Sequence, residues 1–211
     1  EECLHIAELI ILEVKPQDCS AMFETLRPHV DPQQVFVSIM AGISTTTITE
    51  ALGAPKIIRA MPNLPAQLGM GMTVFTSTDA VTRMELVMVQ NLINTTGKSI
   101  YVEKETAIDA ATAVSGSGPA YVWYVMNSLI KAAQDMGFSA SESELLVSQT
   151  FRGAIDLFDQ TDLSCAAWIQ RVCSKGGTTE AALKTYADQA VETGIVDGAK
   201  AALQRAEELG R

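Results

Sequence analysis

The sequence has only two histidines, His5 and His29, both near its start. A histidine-based metal centre or a Ser-His-Asp arrangement has almost no raw material, so no metal site is expected. The four cysteines, Cys3, Cys19, Cys165 and Cys173, include no Cys-x-x-Cys pair. A chain of 211 residues needs no disulfide staples, and the cysteines read as reduced thiols of a cytoplasmic protein. Cys173 reads as a buried, inert thiol with nothing nearby to lower its pKa. Basic residues are outnumbered 15 to 25 by acidic ones, for a net charge of −10. Nucleic acid is therefore not an expected partner, since a phosphate backbone requires a basic patch. No apolar run approaches the roughly 20 residues that span a bilayer. Glu1 and Glu2 are the opposite of a signal peptide's basic start, so no membrane association is expected.

What is present is an ordinary globular balance, 47% hydrophobic and 19% charged, with material for a sizeable core. The first half alternates strand and helix signals. Leu9–Val14 is an apolar run of the buried parallel-strand type, followed by Pro16 at a helix start. Ala21, Met22 and Leu26 carry an apolar helical face that breaks at Pro28. Val35–Met40 predicts a second strand, and Ser44–Leu52 a helix stopped by Gly53. Further strands are expected over Lys56–Met61, Met72–Thr76 and Ser99–Val102, with a helix over Met84–Leu92. This alternation argues for a doubly wound parallel sheet. Near Glu103 the character changes. Only 7 of the 53 residues from Thr106 to Phe158 are charged, and apolar residues there step at helical spacing. Helices so poor in charge are buried on more than one side, and a partner subunit is the simpler way to cover them.

A sheet of this kind that binds a dinucleotide opens with Gly-x-Gly-x-x-Gly, whose amides hold the pyrophosphate. That motif is missing, and so is an initiator Met. Gly69-Met-Gly71 and Gly116-Ser-Gly118 are too short. The expectation is a chain that begins inside its fold, after the first strand–helix–strand unit, and that binds a dinucleotide weakly as written.

Five segments carry candidate chemistry. Val14-Lys15-Pro16 lies where a buried strand meets a helix, the edge at which ligands sit in open α/β sheets. Taken alone it reads as a strand ending in a solvated lysine. Ser38-Ile-Met-Ala-Gly42 ends the next strand in small residues; it reads equally as a tight turn or as a place where a ring or ribose meets backbone. Arg59-Ala-Met-Pro-Asn63 with Pro65 makes a stiff loop, and Asn63 can both donate and accept. Ser115-Gly-Ser-Gly-Pro-Ala120 reads as a helix–loop–helix corner or as a cleft wall. Ser174-Lys-Gly-Gly-Thr-Thr179 places two glycines and two threonines at a helix start, an arrangement suited to an anion such as a substrate carboxylate.

Taken in order, these segments resemble pyrroline-5-carboxylate reductases. The likeness runs from about Leu9 to the end, and Ser-Gly-Ser-Gly-Pro-Ala-Tyr at 115–121, Ser-x-Gly-Gly-Thr-Thr at 174–179 and Met-Pro-Asn at 61–63 are its most specific parts. It implies α/β then all-α architecture: an incomplete Rossmann-type parallel sheet over 1–103, then a helical substrate-binding and dimerisation domain over 104–211. It implies NADPH or NADH as hydride donor and reduction of 1-pyrroline-5-carboxylate to L-proline. It also implies a homodimer, with dimers assembling into a decamer. By position, Val14, Lys15, Pro16, Ala41 and Gly42 would line the cofactor, and Met61, Pro62 and Asn63 would lie near the nicotinamide. Glu105, Ser174, Gly176, Gly177, Thr178 and Thr179 would surround the substrate. The chain departs from the family pattern at Glu13, Arg171, Lys175 and Tyr186. The alternatives are a related imine or 3-hydroxyacid reductase and a non-catalytic helical assembly fragment. The first of these commonly uses a lysine or aspartate in the interdomain helix, where Thr106–Ala113 offers only Asp109.

Overall fold

The structure is a computed structural model that describes residues 4–210; Glu1, Glu2 and the Cys3 thiol lie outside the described residues. It forms two compact units. One runs to Pro119 and takes back the chain from Ala199, and the other is Ala120–Gly198.

The first unit is built on a five-stranded sheet in the order β1 (Leu9–Leu12), β2 (Val35–Ser38), β3 (Ile57–Met61), β4 (Gly71–Ser77), β5 (Gly97–Tyr101). Alternation of side chains divides the apolar residues between two faces. Leu12, Phe36 and Ile57 point to one face. There they pack with Phe23 of α1 (Cys19–Leu26) and with Ile48 and Leu52 of α2 (Thr45–Leu52). Val37, Ile58, Ala60 and Phe75 point to the other, against Val89 of α3 (Arg83–Asn94). Phe36, Phe75, Ile57 and Ile58 are fully buried, each contributing roughly 1.5–3 kcal/mol relative to an exposed position.

The helices start and stop where their sequences allow. Ser44 accepts from the Thr47 amide at the start of α2, and Gly53 ends it at φ 71°. Thr82 and Glu85 form a reciprocal capping box at the start of α3. Pro16 opens a short 3-10 turn, Pro16–Asp18, ahead of α1, and a further 3-10 turn at Arg27–His29 marks the break at Pro28.

Two features differ from the sequence reading. Strands β1, β2 and β3 are parallel, as is the β4–β5 pair, but β4 runs antiparallel to β3. The link between them holds only a 3-10 turn, Leu64–Leu68, with Gly69 at φ 70°. A parallel crossover needs roughly a dozen residues or more, so the chain doubles back. The sheet is thus parallel-dominated rather than wholly parallel. The stretch at Ser115–Ala120 is also not a loop between helices. After α4 (Thr106–Ala111) the chain makes a π-turn, Thr112–Gly116, and runs almost directly into α5 (Gly118–Asp135). Ser117 joins the two, its amide donating to the Thr112 carbonyl at 2.8 Å.

The second unit is helical. It holds most of α5, then α6 (Ala140–Asp159), α7 (Cys165–Val172), α8 (Thr178–Asp188) and the first part of α9 (Val191–Leu209). Between Ala120 and Gly198 only Ser143 and Val147 are buried. Trp123, Tyr124, Leu145 and Ile155 are at least half exposed. Faces this apolar exceed the scatter of surface hydrophobics usual in a monomer. Among the described residues no helix is long and apolar enough to cross a membrane.

Candidate active site

Because β1, β2 and β3 are parallel, their carboxyl ends share one edge of the sheet. That places Val14-Lys15-Pro16, Ala41-Gly42 and Met61-Pro62-Asn63 along a single rim, where open α/β sheets bind ligands. Val14 packs on the α1–α2 side, and Lys15 is exposed. The Lys15 carbonyl accepts from the Asp18 amide at 2.9 Å, closing the turn that begins at Pro16.

Gly42 sits at φ 74°, a conformation that side chains with a Cβ rarely adopt. A Cβ there would lie 2.8 Å from the Leu209 carbonyl oxygen at the end of α9. Two constraints therefore require glycine, one conformational and one steric.

The Asn63 side chain uses both of its functions. Its Nδ2 donates to the Ser115 carbonyl at 3.0 Å, and its Oδ1 accepts from the Met72 amide at 2.9 Å. One amide thus ties the loop after β3 to the start of β4 and to the π-turn. Single-turn π-bulges inside helices occur often at functional sites.

Beside the rim lies an apolar cavity of about 470 Å³, bounded by Ile11, Val37, Ala60, Pro62 and Asn63, with Glu13 at its wall. Val14, Lys15, Ala41 and Gly42 do not line this cavity, which extends toward Val89, Leu92 and Ile93 of α3; Gly42 faces the Leu209 backbone instead.

A network that sequence reasoning missed lies on the opposite face of β3. Arg59 is buried, and its guanidinium reaches Glu105 Oε1 at 3.1 Å and Asp109 Oδ1 at 2.9 Å. Glu105 also accepts from Thr45 twice, from its amide at 2.8 Å and from its hydroxyl at 2.7 Å. A signal was available: an arginine inside Ile-Ile-Arg-Ala-Met demands a partner once the strand is buried.

The remaining residues belong to the helical unit. Gly176 turns at φ 74°, and its amide donates to Glu180 Oε2 at 2.6 Å. The Gly177 amide donates to the Ser174 carbonyl at 2.9 Å. A Cβ on Gly177 would fall 2.5 Å from Ser174 Oγ and 3.0 Å from the Ser174 carbonyl. Gly177 is the N-cap of α8, with no side-chain cap, and Thr178 and Thr179 begin the helix with the Glu180 carboxylate bonded beside them to the Gly176 amide. Ser174 and Thr178 are exposed, and Thr179 is half-buried. Cys173, expected to be buried, is only half-buried; Cys19 is buried and Cys165 exposed. Among the described residues no group of three or more His, Cys, Asp or Glu side chains could hold a metal ion.

The fold thus combines a strand-edge rim of the kind at which open α/β sheets bind ligands with a helical unit whose apolar faces are uncovered. Residues 105–209 match the pyrroline-5-carboxylate reductase dimerisation family. The pyrroline-5-carboxylate reductase of Pseudomonas aeruginosa is 35% identical over 209 residues, which are 99% of this chain and 77% of the relative. Pyrroline-5-carboxylate reductase 2 of Bacillus subtilis is 32% identical, over 96% of this chain and 72% of its own length. A Plasmodium falciparum pyrroline carboxylate reductase solved with NADP bound superposes with a TM-score of 0.93 at 27% identity, covering 100% of this chain and 80% of that one. The chain belongs to the pyrroline-5-carboxylate reductase family.

Proposed function

We propose that this protein reduces 1-pyrroline-5-carboxylate to L-proline with NADPH or NADH, the last step of proline biosynthesis. The observation that carries this reading is a likeness to pyrroline-5-carboxylate reductases that extends over almost the whole chain, sheet and helices alike.

The chemistry asks little of the protein. A protonated cyclic imine is already an electrophile, so the chain's task is positioning and electrostatics rather than acid–base relay. A reduced nicotinamide supplies the hydride when bound. Residues 1–103 serve the cofactor. Val14, Lys15 and Pro16 line it on one side; Ala41 and Gly42 bring backbone close to it. Met61, Pro62 and Asn63 form the wall between nicotinamide and substrate, fixed by the two hydrogen bonds of Asn63.

Residues 104–211 serve the substrate and the dimer. Ser174, Thr178 and Thr179 hold the substrate carboxylate at the start of α8, and Gly176 and Gly177, whose amides are bonded to Glu180 and Ser174, shape the turn. Glu105 is assigned to the substrate by likeness to the family alone; in this chain its carboxylate is held within the sheet unit by Thr45 and Arg59. The uncovered apolar side chains of α5 and α6 support a homodimer, and assembly of dimers into a decamer rests on likeness to the family alone. A cytoplasmic site of action suits the unpaired Cys19, Cys165 and Cys173.

The reading is tested by following NADPH oxidation with 1-pyrroline-5-carboxylate and identifying the product. Formation of L-proline supports it, and turnover only with a 3-hydroxyacid or an acyclic imine contradicts it.

A further inference from the structure

Arg59 stands in mid-strand between the buried residues Ile58 and Ala60 and is itself only 4% exposed. A charge in such a place is costly unless it is paired. Here one guanidinium reaches two carboxylates that lie 46 and 50 positions further along the chain. Its Nε is buried and without a hydrogen-bond partner among the described residues. The fork is therefore spent on the pair Glu105 and Asp109 and on nothing else there.

What these carboxylates hold is informative. Glu105 grips the amide and hydroxyl of Thr45, the first residue of α2 and three positions past Gly42. Asp109 lies on α4, which leads directly into the π-turn. The carbonyl of Ser115 in that turn accepts from Asn63, four positions past Arg59 on the same chain segment. A closed circuit results, running from the Gly42 turn through Thr45, Glu105, Arg59, Asp109 and Ser115 to Asn63.

We propose that Arg59 is a positioning residue for the reduction. It sets the Ala41–Gly42 turn against the Met61–Asn63 wall without touching cofactor or substrate itself. The inference rests on the function proposed above, in which those two segments flank the nicotinamide. Lysine could not replace it: a point charge cannot bridge two carboxylates as a planar fork does. Removing one partner of a buried ion pair is strongly destabilising in itself, so the positioning role is read from turnover per folded molecule and not from stability.

Arg59→Met keeps most of the volume and removes the fork, Arg59→Lys keeps the charge, and Asp109→Asn weakens one arm. Turnover is measured on the native protein and normalised to its folded fraction. We expect Arg59→Met to lower kcat at least tenfold and raise the KM for NADPH; because Arg59 also holds Glu105, the KM for the imine rises as well. Arg59→Lys recovers less than half of the loss, and methylguanidinium added to Arg59→Ala raises its kcat. If Arg59→Met does not fold, Asp109→Asn carries the test, with an expected three- to tenfold loss in kcat. A purely structural role would lower the melting temperature while leaving kcat per folded molecule unchanged and unresponsive to methylguanidinium. Values within twofold of wild type in the variant that folds would overturn the assignment while leaving the reductase reading intact. A wild-type protein that makes no proline would remove that reading, and the positioning role with it.

Discussion

Asn63 and Ser115 are joined by a 3.0 Å hydrogen bond from the Asn63 side-chain amide to the Ser115 carbonyl, across 52 positions of sequence. The same side chain accepts from the Met72 amide at 2.9 Å. Asn63→Ala leaves both of those backbone groups without a partner, at a cost of about 1–3 kcal/mol for each one left unsatisfied. The expected result is a lower urea midpoint and a lower kcat together. Asn63→Asp keeps the acceptor but sets a carboxylate oxygen against the Ser115 carbonyl, so it should be at least as destabilising as Asn63→Ala. Chemical denaturation and steady-state kinetics on the same preparations check this.

Gly42 and Gly53 separate conformation from space. Both have positive φ, 74° and 71°. A Cβ at Gly53 meets nothing within 4 Å, whereas one at Gly42 meets the Leu209 backbone at 2.8 Å. Gly53→Ala should cost only the left-handed penalty, about 1–2 kcal/mol. Gly42→Ala should cost more, and it alone should weaken NADPH binding, because the turn must shift. Thermal melts and cofactor titrations of the two variants read out the difference.

Thr179→Ala should raise the KM for the imine far more than the KM for the cofactor. Thr179 is half-buried in the first turn of α8. Losing a good hydrogen bond to a charged group costs about 1.5–3 kcal/mol, or roughly ten- to a hundredfold in KM. Equal changes in both constants would contradict the carboxylate assignment.

Glu85 gives a pH dependence that can be predicted in sign. Partial burial pushes its carboxyl pKa up, but the hydrogen bond from Lys56, the bonds from Thr82 and the Lys56 charge together bring it below the ordinary carboxylate value. Lys56 Nζ lies 2.8 Å from Glu85 Oε1. A depressed folded pKa means stability that is present above the unfolded pKa and lost as pH falls through the folded one. Wild type should therefore exceed Glu85→Gln in stability at neutral pH, and the gap should close in acid. Urea unfolding from neutral to acidic pH measures it.

Much of this was legible in the sequence. The runs at Leu9, Val35 and Lys56 became β1, β2 and β3, because buried parallel strands carry continuous apolar sequence. Gly53 stopped α2 because few residues tolerate the left-handed turn there. The direction of β4 was not legible, since β4 is buried on both faces and such a strand carries an apolar run whichever way it pairs. It was decided by the compact 3-10 turn at Leu64–Leu68. The path from Ser115 to Ala120 was legible in part: Pro119 suits a helix start and lies in the first turn of α5, but the π-turn Thr112–Gly116 takes the place of a helix–loop–helix corner. The Arg59 network was hidden for another reason. Its partners are distant in sequence, and only the packing of α4 beside β3 brings them together. The candidate residues at the strand ends share one rim because parallel strands bring their carboxyl ends to one edge, and those at Ser174–Thr179 lie at a helix start, as their glycines and threonines suggest.

The central claim is tested most directly by isotope transfer. The native protein would be given 1-pyrroline-5-carboxylate and NADPH carrying deuterium at the transferable nicotinamide position, and the product would be analysed by mass spectrometry. Proline bearing one deuterium at the former imine carbon, formed in step with NADPH oxidation, is the predicted result. NADPH oxidation without labelled proline, or none at all with authentic substrate, would contradict the account.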